Sequence, residues 1–135
     1  MSRDSDLTLR RVERQHRLIE ILSAASRPSP SAALAETLGV GLRTVERDLA
    51  RLREAGVPIE AVAGAHGGSR LPRRASPPAV QLSFSEIAAL IASLVALGPT
   101  ATDTAASAMR VLVASIAPAE NEQTAGTFLG VSRSR

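Results

Sequence analysis

No cysteine occurs in the chain. That excludes disulfides, thiol catalysis and cysteine-built zinc sites. Tryptophan and tyrosine are also absent, and there are only two phenylalanines. A core must therefore be assembled from Ala, Val, Leu and Ile, which suits helices packed on helices better than a sandwich. Lysine is missing too: all 16 basic residues are arginine. The two histidines, His16 and His66, stand apart, with no carboxylate motif beside either. A nucleophile needs a base and an orienting group, so no catalytic residue, metal or cofactor is expected and the chain is not read as an enzyme. The longest mainly apolar run, Ile87 to Leu97, falls short of the ~20 residues of a membrane span. Residues 1 to 17 are polar and rich in Arg, unlike a signal peptide. The expectation is a soluble, cytoplasmic protein with no membrane partner.

What is present is unevenly charged. Residues 1 to 74 hold 13 Arg against 9 Asp and Glu, a net of +4, whereas residues 75 to 135 hold 3 Arg against 4 acids, a net of −1. The basic surplus lies on the half that carries the most informative pattern, Leu34 to Leu52, reading LAETLGVGLRTVERDLARL. Leu34, Ala35 and Leu38 put apolar groups on one face of a helix. Gly39 can take a positive φ and turn the corner. Val45, Leu49 and Leu52 then recur at helical spacing, leaving Arg43, Thr44, Glu46, Arg47 and Arg51 on the other face. A helix that buries one side and offers Arg and Thr on the other fits a DNA major groove.

Around this pattern the spacing predicts a first helix from about Leu9 to Ala25, with Val12, Ile19 and Leu22 on its apolar face beside Leu18 and Ile21. Arg27-Pro28 ends it. Ser29 is the expected cap of the next helix, with Pro30 in its first position. The third helix runs from about Leu42 to Ala55. Ile59 to Val62 and Ser69 to Leu71 read as two short strands around a Gly-rich tip, a wing. Residues 72 to 81 contain three prolines and read as a linker. Ser83-Phe84-Ser85-Glu86 fits a capping box opening a helix to Leu97. Thr100 can open a last helix ending near Ala117-Pro118, and the polar remainder is expected to be disordered. The helix from Phe84 to Leu97 is apolar on nearly every side and so needs burial. The last helix can cover one face; a second copy would complete a four-helix bundle.

These residues carry a family likeness. The first 72 residues resemble the winged helix-turn-helix of DeoR-type bacterial regulators, notably the subgroup that usually bears a C-terminal WYL effector domain. LAETLGVGLRTVERDLARLREAGVPIE, residues 34 to 60, is close to that pattern throughout. Gly67, Gly68, Arg70 and Leu71 match its wing, Arg47-Asp48 before Leu49 is typical, and LSFSEIAALIASLVAL, residues 82 to 97, resembles its linker helices. Four positions depart from it: Gly41 stands where Ser is usual, Leu42 where a basic residue is common, Glu46 where Tyr or Arg is frequent, and Ser69 in place of a wing Tyr. The effector domain has no counterpart, since its naming residues include Trp and Tyr.

The fold expected is mainly α: a winged helix-turn-helix over residues 1–72, a linker over 73–81, a helical hairpin over 82–117 that forms a homodimer, and a disordered tail over 118–135. The function expected is sequence-specific binding of double-stranded DNA as a small transcriptional regulator, a repressor that occludes a promoter. Arg43, Thr44, Glu46, Arg47, Arg51 and Arg70 are the candidate DNA-binding residues. Glu46 can accept from a cytosine amine or pair with Arg43 or Arg47 along the helix. Asp48 is read as structural, an ion-pair partner for an Arg of the first helix or the wing. The alternative is a protein-interaction adaptor that heterodimerises with, or antagonises, a full-length regulator. The sequence identifies no effector ligand.

Overall fold

The computed structural model describes residues 3–72, 78–98 and 102–118. The chain divides into two compact units, Met1–Ala79 and Val80–Arg135. The first contains helices α1 (Arg3–Ala24), α2 (Ser31–Leu38) and α3 (Leu42–Glu54), then strands β1 (Glu60–Val62) and β2 (Gly68–Arg70). The second contains α4 (Phe84–Leu97) and α5 (Asp103–Ile116). The mainly helical fold with a two-stranded antiparallel wing is the one expected from the sequence.

The core of the first unit is wholly aliphatic. Leu18 and Leu22 come from α1, Leu34 and Ala35 from α2, Val45, Leu49 and Leu52 from α3, and Ile59 from the approach to β1. Ile19, Ile21, Leu38, Val40, Val57 and Leu71 pack around them, partly buried. The one-sided spacing of Val45, Leu49 and Leu52 is what turns α3 against α1 and α2. Val12, expected on the inner face of α1, stays more than a third exposed. The helix also begins six residues earlier than its apolar spacing indicates. Its opening turns are polar and hold Asp4 and Asp6 near the N-terminus, where a carboxylate is favoured by the helix dipole; the Thr8 hydroxyl donates to the Asp4 carbonyl at 2.9 Å.

Between α2 and α3 the chain reverses at Gly39, with φ 67° and ψ 35°, a left-handed conformation that suits glycine. The Gly39 amide donates to the Glu36 carbonyl (3.2 Å) and the Val40 amide to that of Ala35 (3.1 Å). Ser29, expected to cap α2, does not. Pro30 occupies the cap position in an extended conformation, without a side-chain cap. Ser29 instead forms an isolated antiparallel bridge with Ser69 of the wing. Its amide donates to the Ser69 carbonyl at 2.8 Å, and the Ser69 amide returns the bond at 2.9 Å. With its backbone committed to a strand pairing, Ser29 lies one residue too early to serve the helix.

Among the described residues of this unit one charge is buried. Asp48 faces inward from α3 and is 1% exposed. Arg14 of α1 closes on it with Nε to Oδ2 and donates from Nη2 to Oδ1 at 3.3 Å, while Gln15 Nε2 donates to Oδ1 at 3.3 Å. The structural role expected of Asp48 is the one it has.

In the second unit Ser83 caps α4 as expected. The Glu86 amide donates to Ser83 Oγ at 3.2 Å, and the Ser83 amide donates to Glu86 Oε2 at 2.6 Å. The Ser83 backbone bond, then its hydroxyl, hold the Glu86 carboxyl below its ordinary pKa. Thr102, rather than Thr100, caps α5, accepting from the Ala105 amide at 3.0 Å; Thr100 lies outside the described residues. The burial expected for α4 is not met within one chain: neither α4 nor α5 contains a buried residue. Two helices of equal length can each cover only one side of the other. Residues 73–77 of the expected linker and 119–135 of the expected tail lie outside the described residues.

Replacing Asp48 by Ala is expected to destabilise the first unit by about 2–3 kcal/mol. It removes a charge-assisted pair and leaves Arg14 short of its acceptor. Urea denaturation followed by circular dichroism measures the loss; a shift of a few tenths would show that the pair contributes little.

A candidate nucleic-acid interface

With Val45, Asp48, Leu49 and Leu52 turned into the core, the opposite side of α3 is solvent-facing. Arg43, Glu46, Arg47, Arg51 and Glu54 are exposed there, and Thr44 is partly buried. Arg43, Arg47 and Arg51 follow one another at four-residue intervals. At 1.5 Å per residue they span roughly 12 Å of helix axis, comparable with the width of the major groove. Among the described residues none of the three makes an ion pair, and neither does Glu46. The helical pairing of Glu46 with Arg43 or Arg47 is therefore not formed. Among the described residues no carboxylate stands within ion-pair distance of the three guanidinium groups.

α3 opens at Gly41, the N-cap, with φ −71°, ψ 155° and no side-chain cap. A Cβ added there would meet nothing within 4 Å. Leu42 follows as the first helical residue and is 47% exposed.

The wing is placed by a residue the sequence did not single out. Arg53, in the last turn of α3, donates from Nε to the Ile59 carbonyl at 3.1 Å and from Nη2 to Ser69 Oγ at 3.0 Å. Ser69 is almost fully buried. One guanidinium thus ties the helix to both the entry and the return strand of the wing. Arg53 follows Leu52 directly and belongs to neither the apolar stripe nor the outward row; periodicity gave no sign of its role. Gly68 beside it lies against Ser29: an added Cβ would come within 2.3 Å of the Ser29 carbonyl oxygen. A side chain at position 68 would separate wing and loop.

Arg70 sits apart from the α3 row. It faces Glu60 in the strand register and donates to Glu60 Oε2 from Nη2 at 2.6 Å and from Nε at 3.2 Å. Both side chains are half exposed. Exposed pairs of this kind are worth about 0–1 kcal/mol, so an incoming phosphate could displace the carboxylate. His66 is exposed at the wing tip and with Arg27, Pro28, Pro30 and Ala65 lines an open groove of about 530 Å³. His16 lies along α1 against Glu20, one turn on. Among the described residues no group of three His, Cys, Asp or Glu side chains could hold a metal ion, and no helix is long and apolar enough to cross a membrane.

Residues 14–68 match the family model described as an HTH domain. The matched span runs from Arg14, the partner of Asp48, to Gly68 of the wing. It takes in all of α2 and α3. The match supports DNA binding by a regulator of the helix-turn-helix class. No solved structure matches the chain.

Replacing Arg53 by Ala is expected to cost about 1–2 kcal/mol, since it leaves the buried Ser69 hydroxyl and the Ile59 carbonyl without their donor. Amide exchange should accelerate most at Ser69 and Arg70. Arg53→Lys should not restore protection, because one ammonium cannot span both acceptors. Uniform acceleration across α1, α2 and the wing would show a general loss of stability instead.

Proposed function

We propose that this chain is a sequence-specific double-stranded DNA-binding protein, a transcriptional regulator of DeoR type that represses by occluding a promoter. The observation that carries the proposal is the unpaired row Arg43, Arg47 and Arg51 on the side of α3 opposite the core. In this reading α3 enters the major groove. Arg43 and Arg47 read or clamp base edges, and Arg can pair bidentately with guanine O6 and N7. Thr44 and Arg51 contact base or phosphate. Glu46, free of any ion pair, accepts from a cytosine amine. Arg70 exchanges Glu60 for a backbone phosphate flanking the groove. The Arg70–Glu60 pair and the uncapped Gly41 reduce the electrostatic grip, and these favour the second reading, an adaptor that pairs with a longer regulator.

Binding of a duplex should fall steeply with salt, because each neutralised phosphate releases counterions. Arg43→Ala and Arg47→Ala should each weaken a selected site by about 1–3 kcal/mol, relax one position of it, and leave the melting curve in place. Fluorescence anisotropy across a salt titration reads the affinities. Failure to bind any duplex at low salt would favour the adaptor. A variant that unfolds would place its arginine in the structure rather than the interface.

The second unit supports a proposal about assembly. Phe84, Leu90, Val95, Leu97, Val111 and Val113 each remain between about a third and about two-thirds exposed on α4 and α5. Apolar side chains exposed along a two-helix unit with no buried residue are the kind of surface that marks an interaction site. The two helices carry only Glu86, Asp103 and Arg110 as charges, so an identical hairpin meets little repulsion. The occupant we propose is a second copy, which would present two α3 helices to half-sites roughly 10–10.5 bp apart or a multiple of that. Light scattering on the full chain should give twice the mass of one chain. Val95→Asp with Val111→Asp should return it to a monomer; a wild-type monomer at micromolar concentration would end the proposal.

A further inference from the structure

Most of the exposed face of α3 is polar, but its leading end is not. Leu42 is 47% exposed. Every other large apolar side chain of the helix, Val45, Leu49 and Leu52, is buried. Leu42 is also missing from the partly buried apolar residues that pack around the core. Side chains on a helix tilt toward its N-terminus, so this one projects past the first turn. Gly41 before it has no side chain, and a Cβ added there would meet nothing within 4 Å. Water is a poor neighbour for such a group. A groove-inserted helix offers a better one, since it is the N-terminal residues of that helix that reach base edges.

We infer that Leu42 is a specificity-determining residue that packs against the C5-methyl group of a thymine. That methyl is the one apolar feature a base pair shows in the major groove, and apolar side chains are its natural contacts. The inference rests on the proposed entry of α3 into the groove and deepens it. Arg43, one residue on, is free to take a guanine, and Glu46, one turn on, a cytosine amine. Leu42 adds a third kind of contact, one of shape and burial. It requires no hydrogen bond and is insensitive to salt.

The test removes the methyl and nothing else. Duplexes are selected by the wild-type protein from a randomised pool, and each thymine of the best one is replaced in turn by deoxyuridine. At one thymine per half-site the wild type should weaken about fourfold, the equivalent of one buried methyl group. Leu42→Ala should bind the thymine and uracil duplexes equally, while still responding at the positions read by Arg43 and Arg47. Leu42→Gln, which keeps the length but not the apolar surface, should also lose the distinction. Indifference of the wild type to uracil at every thymine overturns the inference, and so does a Leu42→Ala variant that still discriminates. A wild type that enriches no duplex overturns the groove-entry proposal along with it, an outcome distinct from enrichment without methyl dependence.

Discussion

A carboxylate almost without access to water fixes how α3 sits. Asp48 shares the inner side of that helix with Val45, Leu49 and Leu52. Apolar packing alone would tolerate small rotations of the helix about its axis. A charge that must meet Arg14 and Gln15 of α1 does not. Burying a carboxylate is costly unless it is paired and hydrogen-bonded, so only one azimuth of α3 satisfies it. That azimuth decides what faces outward. Arg47 precedes Asp48 in the chain, and the turn that buries the acid exposes the base. The polar contact inside and the arginine row outside are thus two results of one orientation.

The wing depends on the same helix through its other end. Arg53 reaches from the last turn of α3 to Ile59 and Ser69, and Ser69 in turn pairs with Ser29 ahead of α2. A three-residue hairpin is too short to hold itself in water. Here it is held at its base by a side chain of α3 and by a main-chain bridge, and neither bond depends on the sequence of the tip. The tip carries its own constraint in its glycines: Gly64 has φ 103°, and an added Cβ at Gly67 would fall against the Val62 carbonyl.

Where the residues repeat at helical spacing, the sequence was enough. The stripe Val45, Leu49 and Leu52, the turn at Gly39 and the capping box at Ser83 and Glu86 all announce themselves locally, and all are present. The partner of Asp48 was legible as a type, an arginine of the first helix or the wing, because an acid in an Arg-rich chain has few other options; it is Arg14 of α1. The misses share a cause. A serine before a helix is usually its cap; the partner of Ser29 lies 40 positions away, and no local rule can see it. The bond from Arg53 to Ser69 is hidden for the same reason. The polar start of α1 lacks apolar spacing, so only its acidic first turn could have signalled it. Of the candidate interface, the α3 residues were legible because exposure follows from the buried stripe. The engagement of Arg70 by Glu60 was not, since it depends on strand register.

The Ser29–Ser69 bridge also bears on the order in which the structure can assemble. The bridge joins positions far apart in the chain, and the entropy of closing so long a loop must be met before its two hydrogen bonds give any return. Neither Ser29 nor the close-fitting Gly68 can find its partner until α1, α2 and α3 have already brought the ends together. The helices rest on local contacts and the wing on distant ones, so the wing is expected to close after them. Opening the wing alone would break the Ser29–Ser69 bridge and the two Arg53 bonds while leaving the packing among α1, α2 and α3 in place. A wing that can open alone could close again around whatever α3 has met first.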